Sequence, residues 1–315
     1  MTYSPIVIFT YNRLDCLKRT VESLQNNYLA SKSRLYIFSD GPKDDDMAKF
    51  VEEVRLYQTT ITGFLDIQII HRKNNYGLAS NIIDGVTYVV NKHGKVIVLE
   101  DDLVTGRYFL QFMNDGLNVY KNELKVIQIH GYGYLNDKSV PETYFIKTAD
   151  NLGWATWKRG WDLFEKDGKS LLNKINNKQL GSLFDRDGSY PFTKMLESQS
   201  LGKIGSWAIR WYASAFLNNK YTLYPKHSLV LHVGDDERAT NYKRRQTKND
   251  PLSVDLYQGE IKVVKCAIDE TKENRKLYNK FLKKYIPSLY KRVVNKLLYF
   301  SVILLKKEKQ HNDQS

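Results

Sequence analysis

Apolar and polar positions follow two rhythms through the first hundred residues. Four short, nearly continuous apolar runs read as buried strands: Pro5 to Phe9, Leu35 to Phe38, Asp66 to Ile70 and Lys95 to Leu99. Between them apolar residues recur at helical spacing. Leu14, Leu17, Val21 and Leu24 mark one helix. Asp44 to Tyr57 forms a second amphipathic segment, and Asn81 to Val90 a third. Asp40-Gly41-Pro42 punctuates the second strand as a turn. Strands alternating with helices predict βαβ units and a mostly parallel sheet.

The rhythm loosens from about Tyr132 to Gly259, where Gly, Asn and Asp turns accumulate. All five Trp lie there, between Trp154 and Trp211. A third pattern runs from Lys272 to Leu305. Leu277, Phe281, Leu282, Tyr285, Ile286, Leu289, Val293, Val294, Leu297 and Leu298 form an apolar stripe, with Lys and Arg on the other face. This is a basic amphipathic helix, bent or restarted at Pro287.

Charge sharpens that division. The formal net charge is +13, and twelve Lys/Arg against three Glu between Glu270 and Lys309 supply most of it. Such concentration in one helix argues against a nucleic-acid face, which needs positive charge spread along a binding surface. It suits a helix lying on an anionic membrane, or docking on the protein's own core or a second subunit. Two distant cysteines, Cys16 and Cys266, give no zinc spacing and fit a reducing compartment. The N-terminus lacks a signal-peptide pattern, and the apolar run Leu297 to Leu305 is too short to span a bilayer. The expected location is cytoplasmic, peripheral to the inner face of the cell membrane.

The polar clusters of the first half fall where predicted strands end, which is where parallel sheets bind ligands. Glu100-Asp101-Asp102 directly follows the fourth strand. Three adjacent carboxylates repel one another, and a hard divalent cation such as Mn or Mg relieves that repulsion. A solvated loop is the plain alternative. Thr10 and Arg13 bracket the first strand-to-helix turn, where backbone N–H groups and a guanidinium suit phosphate; a helix cap at Asn12 is the alternative. Asp40 suits a ribose or base, or serves its turn. Asn75, Gly77 and Asn81 stand at the third strand-to-helix turn. Trp154, Trp207 and Arg210 offer faces and a fork for a sugar, or an aromatic core. His232 is a second metal ligand or a satisfied core histidine.

Together these segments resemble GT-A glycosyltransferases, closest to bacterial surface-polysaccharide transferases of family 2 that share features with N-acetylglucosaminyltransferase I. The resemblance covers residues 3 to 245. PIVIFTYNR, NNYGLASN and VIVLEDDLV resemble the nucleotide-sugar half; NLGWATWKRGW and GSWAIRWYASAFLNNKYTLYPKHSLVLHVGDD resemble the acceptor half. It implies a GT-A domain over 1–262, with a nucleotide-sugar half (1–131) and an acceptor half (132–262), followed by a basic helical tail (263–315). It further implies phosphate contact by Arg13, a base or ribose role for Asp40, donor contacts from Glu100 and Asp101, and Asp102 on the metal. The implied reaction is inverting transfer from a nucleotide-sugar, UDP-linked by expectation, to a glycan or lipid-linked acceptor, with a homodimer as a possible assembly.

The chain departs from the eukaryotic pattern in having Ala208 and Ile209, with no acid, in the helix that carries the catalytic acid there. Asp236 and then Asp150 are the candidates for the base. A histidine common near the position of Asn241 is also missing, so either His232 substitutes or the metal has one protein ligand. A nucleotidyltransferase would want a Gly-rich first loop, and TYNR has no glycine. A non-catalytic peripheral membrane protein is the remaining alternative.

Overall fold

The computed structural model of the chain describes residues 2–135, 137–234 and 254–284. The four apolar runs form β1 (Ile6–Thr10), β2 (Arg34–Ser39), β3 (Asp66–His71) and β4 (Lys95–Glu100). Between them lie α1 (Leu14–Gln25), α2 (Asp45–Gln58) and α3 (Leu78–His93). Helix α1 buries Leu17, Val21 and Leu24, the stripe that its spacing foretold. Asp44 caps α2 by accepting from the Met47 N–H at 3.0 Å, a contact worth about 1 kcal/mol.

Beyond β4 come β5 (Leu103–Thr105), α4 (Phe109–Val119), β6 (Val126–His130), β7 (Thr143–Ile146) and β8 (Trp154–Trp157). Helices α5 (Lys158–Trp161), α6 (Gly168–Asn177), α7 (Gly181–Phe184), α8 (Phe192–Ser200) and α9 (Ala208–Leu217) follow. Strands β9 (Tyr221–Pro225) and β10 (Val230–His232) and helix α10 (Lys272–Lys283) complete the described elements.

Eight strands make one sheet in the order β3-β2-β1-β4-β8-β6-β9-β7. The first four are parallel; β8 runs antiparallel between β4 and β6, and β7 antiparallel to β9 at the far edge. Side chains alternate between the two faces. Ile6, Ile8, Leu35, Ile37, Ile97 and Leu99 join the core with α1 and α4. Val7, Phe9, Tyr36, Phe38, Val96 and Val98 join the one with α3. Strands β5 and β10 form a separate antiparallel pair. The architecture is α/β with a mostly parallel central sheet flanked by helices, the GT-A arrangement.

The expected boundaries at 131/132 and 262/263 both lie within packed structure. The cut at 131/132 does not part the sheet, because β8 inserts between β4 and β6. The cut at 262/263 falls inside packed structure. Ile261 is buried, and Val263 and Ile268 rest on the same core. Helix α10 buries Tyr278, Phe281 and Leu282 against Leu135, Val140, Tyr144, Ile146 and Tyr224. Glu270 meets the buried Arg186 at 2.8 Å, and Arg275 bridges Glu270 at 3.1 Å and Asp187 at 2.8 Å. As far as residue 284 the expected tail is therefore part of the domain, because Leu277, Phe281 and Leu282 of its apolar stripe have a protein partner. The remainder of the basic stretch, with Pro287, lies outside the described residues. No helix among the described residues is long and apolar enough to cross a membrane.

Candidate active site

Parallel pairing aligns the carboxyl ends of β1 to β4. Thr10 lies opposite Ser39, Ser39 opposite His71, and Phe9 opposite Glu100. The polar clusters foreseen at four separate strand ends therefore share one edge of the sheet.

At its centre is the acidic triplet. Arg13 precedes α1 and donates from Nη2 to Asp101 Oδ1 at 2.6 Å and to Asp102 Oδ2 at 2.7 Å. The Tyr11 N–H donates to Asp101 Oδ2 at 3.3 Å, and the Thr20 hydroxyl to the Asp101 carbonyl at 2.8 Å. Pairing of β10 with β5 sets His232 opposite Leu103. That brings His232 Nε2 to 3.3 Å from Asp102 Oδ2. The Val233 N–H holds the Asp102 carbonyl at 2.8 Å. Gly234 closes the turn above: a Cβ there would overlap the Asp102 carboxylate and stand 2.7 Å from Arg13 Nη1. Only glycine allows that approach.

These contacts split the three carboxyls electrostatically. Burial pushes Glu100 up, and the neighbouring Asp102 charge adds to the push. Asp101 is also raised by burial, against the pull of Arg13. Asp102 is held below the usual carboxylate range; burial opposes this, but His232 and Arg13 outweigh it. Burial disfavours the Arg13 charge, yet its two carboxylate partners hold it firmly protonated. His232 is raised, since its bond to Asp102 exceeds the effect of burial. The triplet thus has one strongly ionised oxygen set, on Asp102, with the Arg13 guanidinium and the His232 imidazole drawn to it.

Asp40, at the end of β2, uses both oxygens on backbone. Oδ1 accepts from the Gly41 N–H at 2.9 Å and the Tyr76 N–H at 2.7 Å, and Oδ2 from the Gly77 N–H at 2.9 Å. Asn75 Nδ2 donates to the Gly41 carbonyl at 2.8 Å. Gly77 has φ 71°, which suits glycine, and opens α3. Asn81 Nδ2 donates to the Phe38 carbonyl at 3.3 Å, and Arg72 Nε donates to its Oδ1 at 3.1 Å. Arg72 also pairs with Asp84 and lies over the exposed Tyr76 ring at 4.5 Å. Thr10 is buried, and its Oγ1 accepts from Gln58 Nε2 at 2.8 Å. Asn12 does not cap α1; its amide faces Met47 Sδ at 3.2 Å.

Across β4 the edge continues through Asp150. Gln128 and the Asp150 backbone exchange two hydrogen bonds, at 2.6 and 2.9 Å. The Tyr134 hydroxyl donates to Asp150 Oδ2, and the Asn151 N–H to Oδ1 at 2.8 Å. Asn151 Nδ2 then donates to Glu100 Oε1 at 3.3 Å, joining Asp150 to the triplet. Tyr134 is walled by His130, Tyr224, Tyr278 and Phe281, with ring centroids 4.8 to 5.9 Å away. Burial first, then the Asp150 charge, push the Tyr134 hydroxyl well above its ordinary range, so it stays a donor. Burial lowers His130 and keeps it neutral.

Asn151, Tyr134, Gln128 and His130 went unseen in the sequence. They meet through pairing of β6 with β8 and β9, which no local pattern reports. The tryptophan expectation is corrected. Trp154 and Trp207 are 1 % and 3 % exposed and stack at 5.5 Å, with Trp161 and Trp211 also against Trp154. Rings so enclosed offer no face to a sugar. Arg210 likewise commits its fork to the Ser206 and Lys166 carbonyls, at 3.3 and 3.0 Å. Asp236 and Asn241 lie outside the described residues.

The strand ends of this GT-A sheet thus gather an acidic triplet, an arginine and a histidine on one edge. Residues 6–143 match the model of Glycosyl transferase family 2. Among solved structures it is similar to S. aureus TarS, at 14 % identity and TM-score 0.39, over 75 % of this chain and 37 % of that one. It thus spans little more than a third of the TarS structure. It is also similar to the mannosyltransferase PcManGT from Pyrobaculum calidifontis in complex with GDP-Man and Mn2+ (11 %, TM-score 0.33, 68 % and 74 % of the two chains). A third is a putative nucleotide-diphospho-sugar transferase from Desulfovibrio desulfuricans G20 (13 %, TM-score 0.33, 53 % and 69 %). No curated protein sequence matches the chain.

Proposed function

We propose that this glycosyltransferase is metal-dependent and inverting, and extends a surface glycan or lipid-linked acceptor. The observation that carries the metal reading is the convergence of Asp102 Oδ2 and His232 Nε2, 3.3 Å apart at the sheet edge. A carboxylate oxygen and an imidazole nitrogen suit Mn, and Mg less closely. Among the described residues no group of three or more His, Cys, Asp and Glu has metal-holding geometry. Two protein ligands fit an ion that takes its other oxygens from a diphosphate and water. Such an ion supplies charge neutralisation for the leaving nucleoside diphosphate.

The chain's own groups do the rest. Arg13 and the N–H groups opening α1 receive phosphate oxygens. The loop braced by Asp40, with Asn75, Gly77 and Tyr76, receives the nucleoside, UDP by expectation. Glu100 and Asp101 contact the donor sugar and ribose. Asp150 accepts the proton of the attacking acceptor hydroxyl, with Tyr134 and the Asn151 N–H fixing its orientation. The basic stretch 285–315 that follows α10 brings the protein to an anionic membrane from the cytoplasmic side, where a lipid-linked acceptor would lie. Homodimerisation is compatible with this reading.

The deciding experiment pairs turnover with thermal shift across a panel of nucleotide-sugars, with and without Mn2+. The parent chain is expected to gain stability only with the right donor plus metal. Asp102→Ala is expected to lose that gain and about 10^3-fold in turnover. Equal responses from parent and variant would remove Asp102 from the site. Flotation with anionic vesicles, with and without residues 285–315, tests the membrane reading, which unchanged flotation would overturn.

A further inference from the structure

Asp102 Oδ2 has more claimants than it can serve. Arg13 Nη2 lies 2.7 Å from it and His232 Nε2 3.3 Å, while the same Nη2 also holds Asp101 Oδ1 at 2.6 Å. A carboxylate oxygen has two lone pairs, and Arg13 and His232 approach both of them. Arg13 is itself largely enclosed, with Gly234 packed against Nη1. A divalent ion binding Asp102 would meet a fixed positive charge within a few ångströms, in surroundings where repulsion is poorly screened. Yet removing that charge from the metal-free protein would leave neighbouring buried carboxylates without a counterion.

We propose that Arg13 is an internal counterion of the acidic triplet. It occupies the cation position on Asp102 in the metal-free protein, and it must give up that oxygen when metal and donor bind. Its position at the start of α1 gives it a second destination, the diphosphate held at the same helix N-terminus. Metal and Arg13 therefore compete for Asp102 in the absence of a diphosphate. When one is present they cooperate, because the diphosphate draws the guanidinium away. The chain thereby binds metal weakly until its donor arrives. This rests on the reading of Asp102 as metal ligand, and it goes beyond a static phosphate-contacting role for Arg13.

The test uses the full chain and Mn2+ alone, without nucleotide. Calorimetry measures Mn2+ affinity for the parent and for Arg13→Gln, Arg13→Lys and Asp102→Asn. Melting is followed in chelator and in Mn2+. Arg13→Gln is expected to melt lower than the parent in chelator, to bind Mn2+ about tenfold more tightly, and to regain its loss in Mn2+. Arg13→Lys keeps a charge but not the fork, and should fall between. If Arg13→Gln is unfolded in chelator, recovery by Mn2+ supports the counterion role and failure to recover overturns it. Arg13→Gln binding Mn2+ no more tightly than the parent also overturns it, leaving the metal site standing. Parent and Asp102→Asn binding Mn2+ alike would instead sink the metal reading.

Discussion

The sheet divides at β4 into two halves built by different rules. On one side β3, β2, β1 and β4 are parallel, joined by helices, and met in reverse sequence order from the far edge inward as far as β1. There the apolar residues make the core and the polar residues after each strand make the candidate site. On the other side β8, β6, β9 and β7 mix directions and come from distant parts of the chain. There one aromatic-rich population serves both core and site. In the first half chemistry can be assigned by position along the chain; in the second it depends on which partners long-range pairing supplies.

The strongest way to break this contrast is at Trp154. Its ring is buried among Trp161, Trp207 and Trp211. Trp154→Ala is expected to cost about 4 kcal/mol of stability through the cavity it leaves. Denaturant unfolding measures this. A fully stable variant with a raised acceptor KM would instead restore Trp154 as a sugar platform and place chemistry where the structure has core.

Next in size is Asp150→Asn. If Asp150 is the base, kcat falls about 100-fold or more with KM for donor little changed. The amide oxygen can accept from Tyr134 but its NH2 cannot accept from the Asn151 N–H, so a loss of about 1 kcal/mol in stability accompanies the change. Unchanged kcat would shift the search to Asp236 and would detach the β6–β8 edge from catalysis.

In the parallel half the corresponding probe is Asp40→Ala. Three backbone N–H groups lose their acceptor, from Gly41, Tyr76 and Gly77. The site is partly open to water, so the expected loss is about 2 kcal/mol. The donor KM should rise with it, since the loop before α3 loses its brace. A raised KM without loss of stability would make Asp40 a direct ligand rather than a brace.

How far the sequence was readable follows the same divide. The strands β1, β2 and β4 announced themselves because each is a short apolar run buried on both faces, and the edge strand β3, only half-buried, because its run keeps the same apolar pattern. Glu100 to Asp102 stood out because three acids cannot comfortably follow such a run without a purpose. His232 could be named, but its meeting with Asp102 depends on β10 pairing with β5, more than a hundred residues earlier. Asp150 was named without Tyr134 or Asn151, since neither residue type nor spacing foretells their contacts. The tryptophans misled for a physical reason: an indole that stacks on a sugar and one that stacks on another indole look identical in sequence. The amphipathic stripe of α10 was correctly periodic, but periodicity does not say whether lipid or protein covers it. In the described part protein does, through Tyr278, Phe281 and Leu282.

The smallest expected effect is a pH dependence of stability that belongs to the mixed half. His130 sits at the end of β6, fully buried, with Nδ1 accepting from the Tyr132 N–H at 3.1 Å. The neutral ring therefore carries its proton on Nε2. Burial lowers its proton affinity below the ordinary histidine value of about 6.5, with Asp150 opposing in part. In the unfolded chain the ring protonates near that ordinary value. Its stabilising contribution is thus fully present above about pH 6.5 and lost as pH falls toward the folded value, at up to about 1.4 kcal/mol per pH unit. His71 and His93 shift in the same direction but are less enclosed. His232 shifts in the opposite direction, its contribution being lost as pH rises. Denaturant melts at pH 7.5, 6.5 and 5.5 should therefore show the parent weakening toward acid. His130→Asn, whose Oδ1 can take over the bond from Tyr132, should weaken less over the same interval. Identical acid slopes for the two proteins would mean that His130 is already protonated in the fold, and the buried cluster around Asp150 would then carry a positive charge.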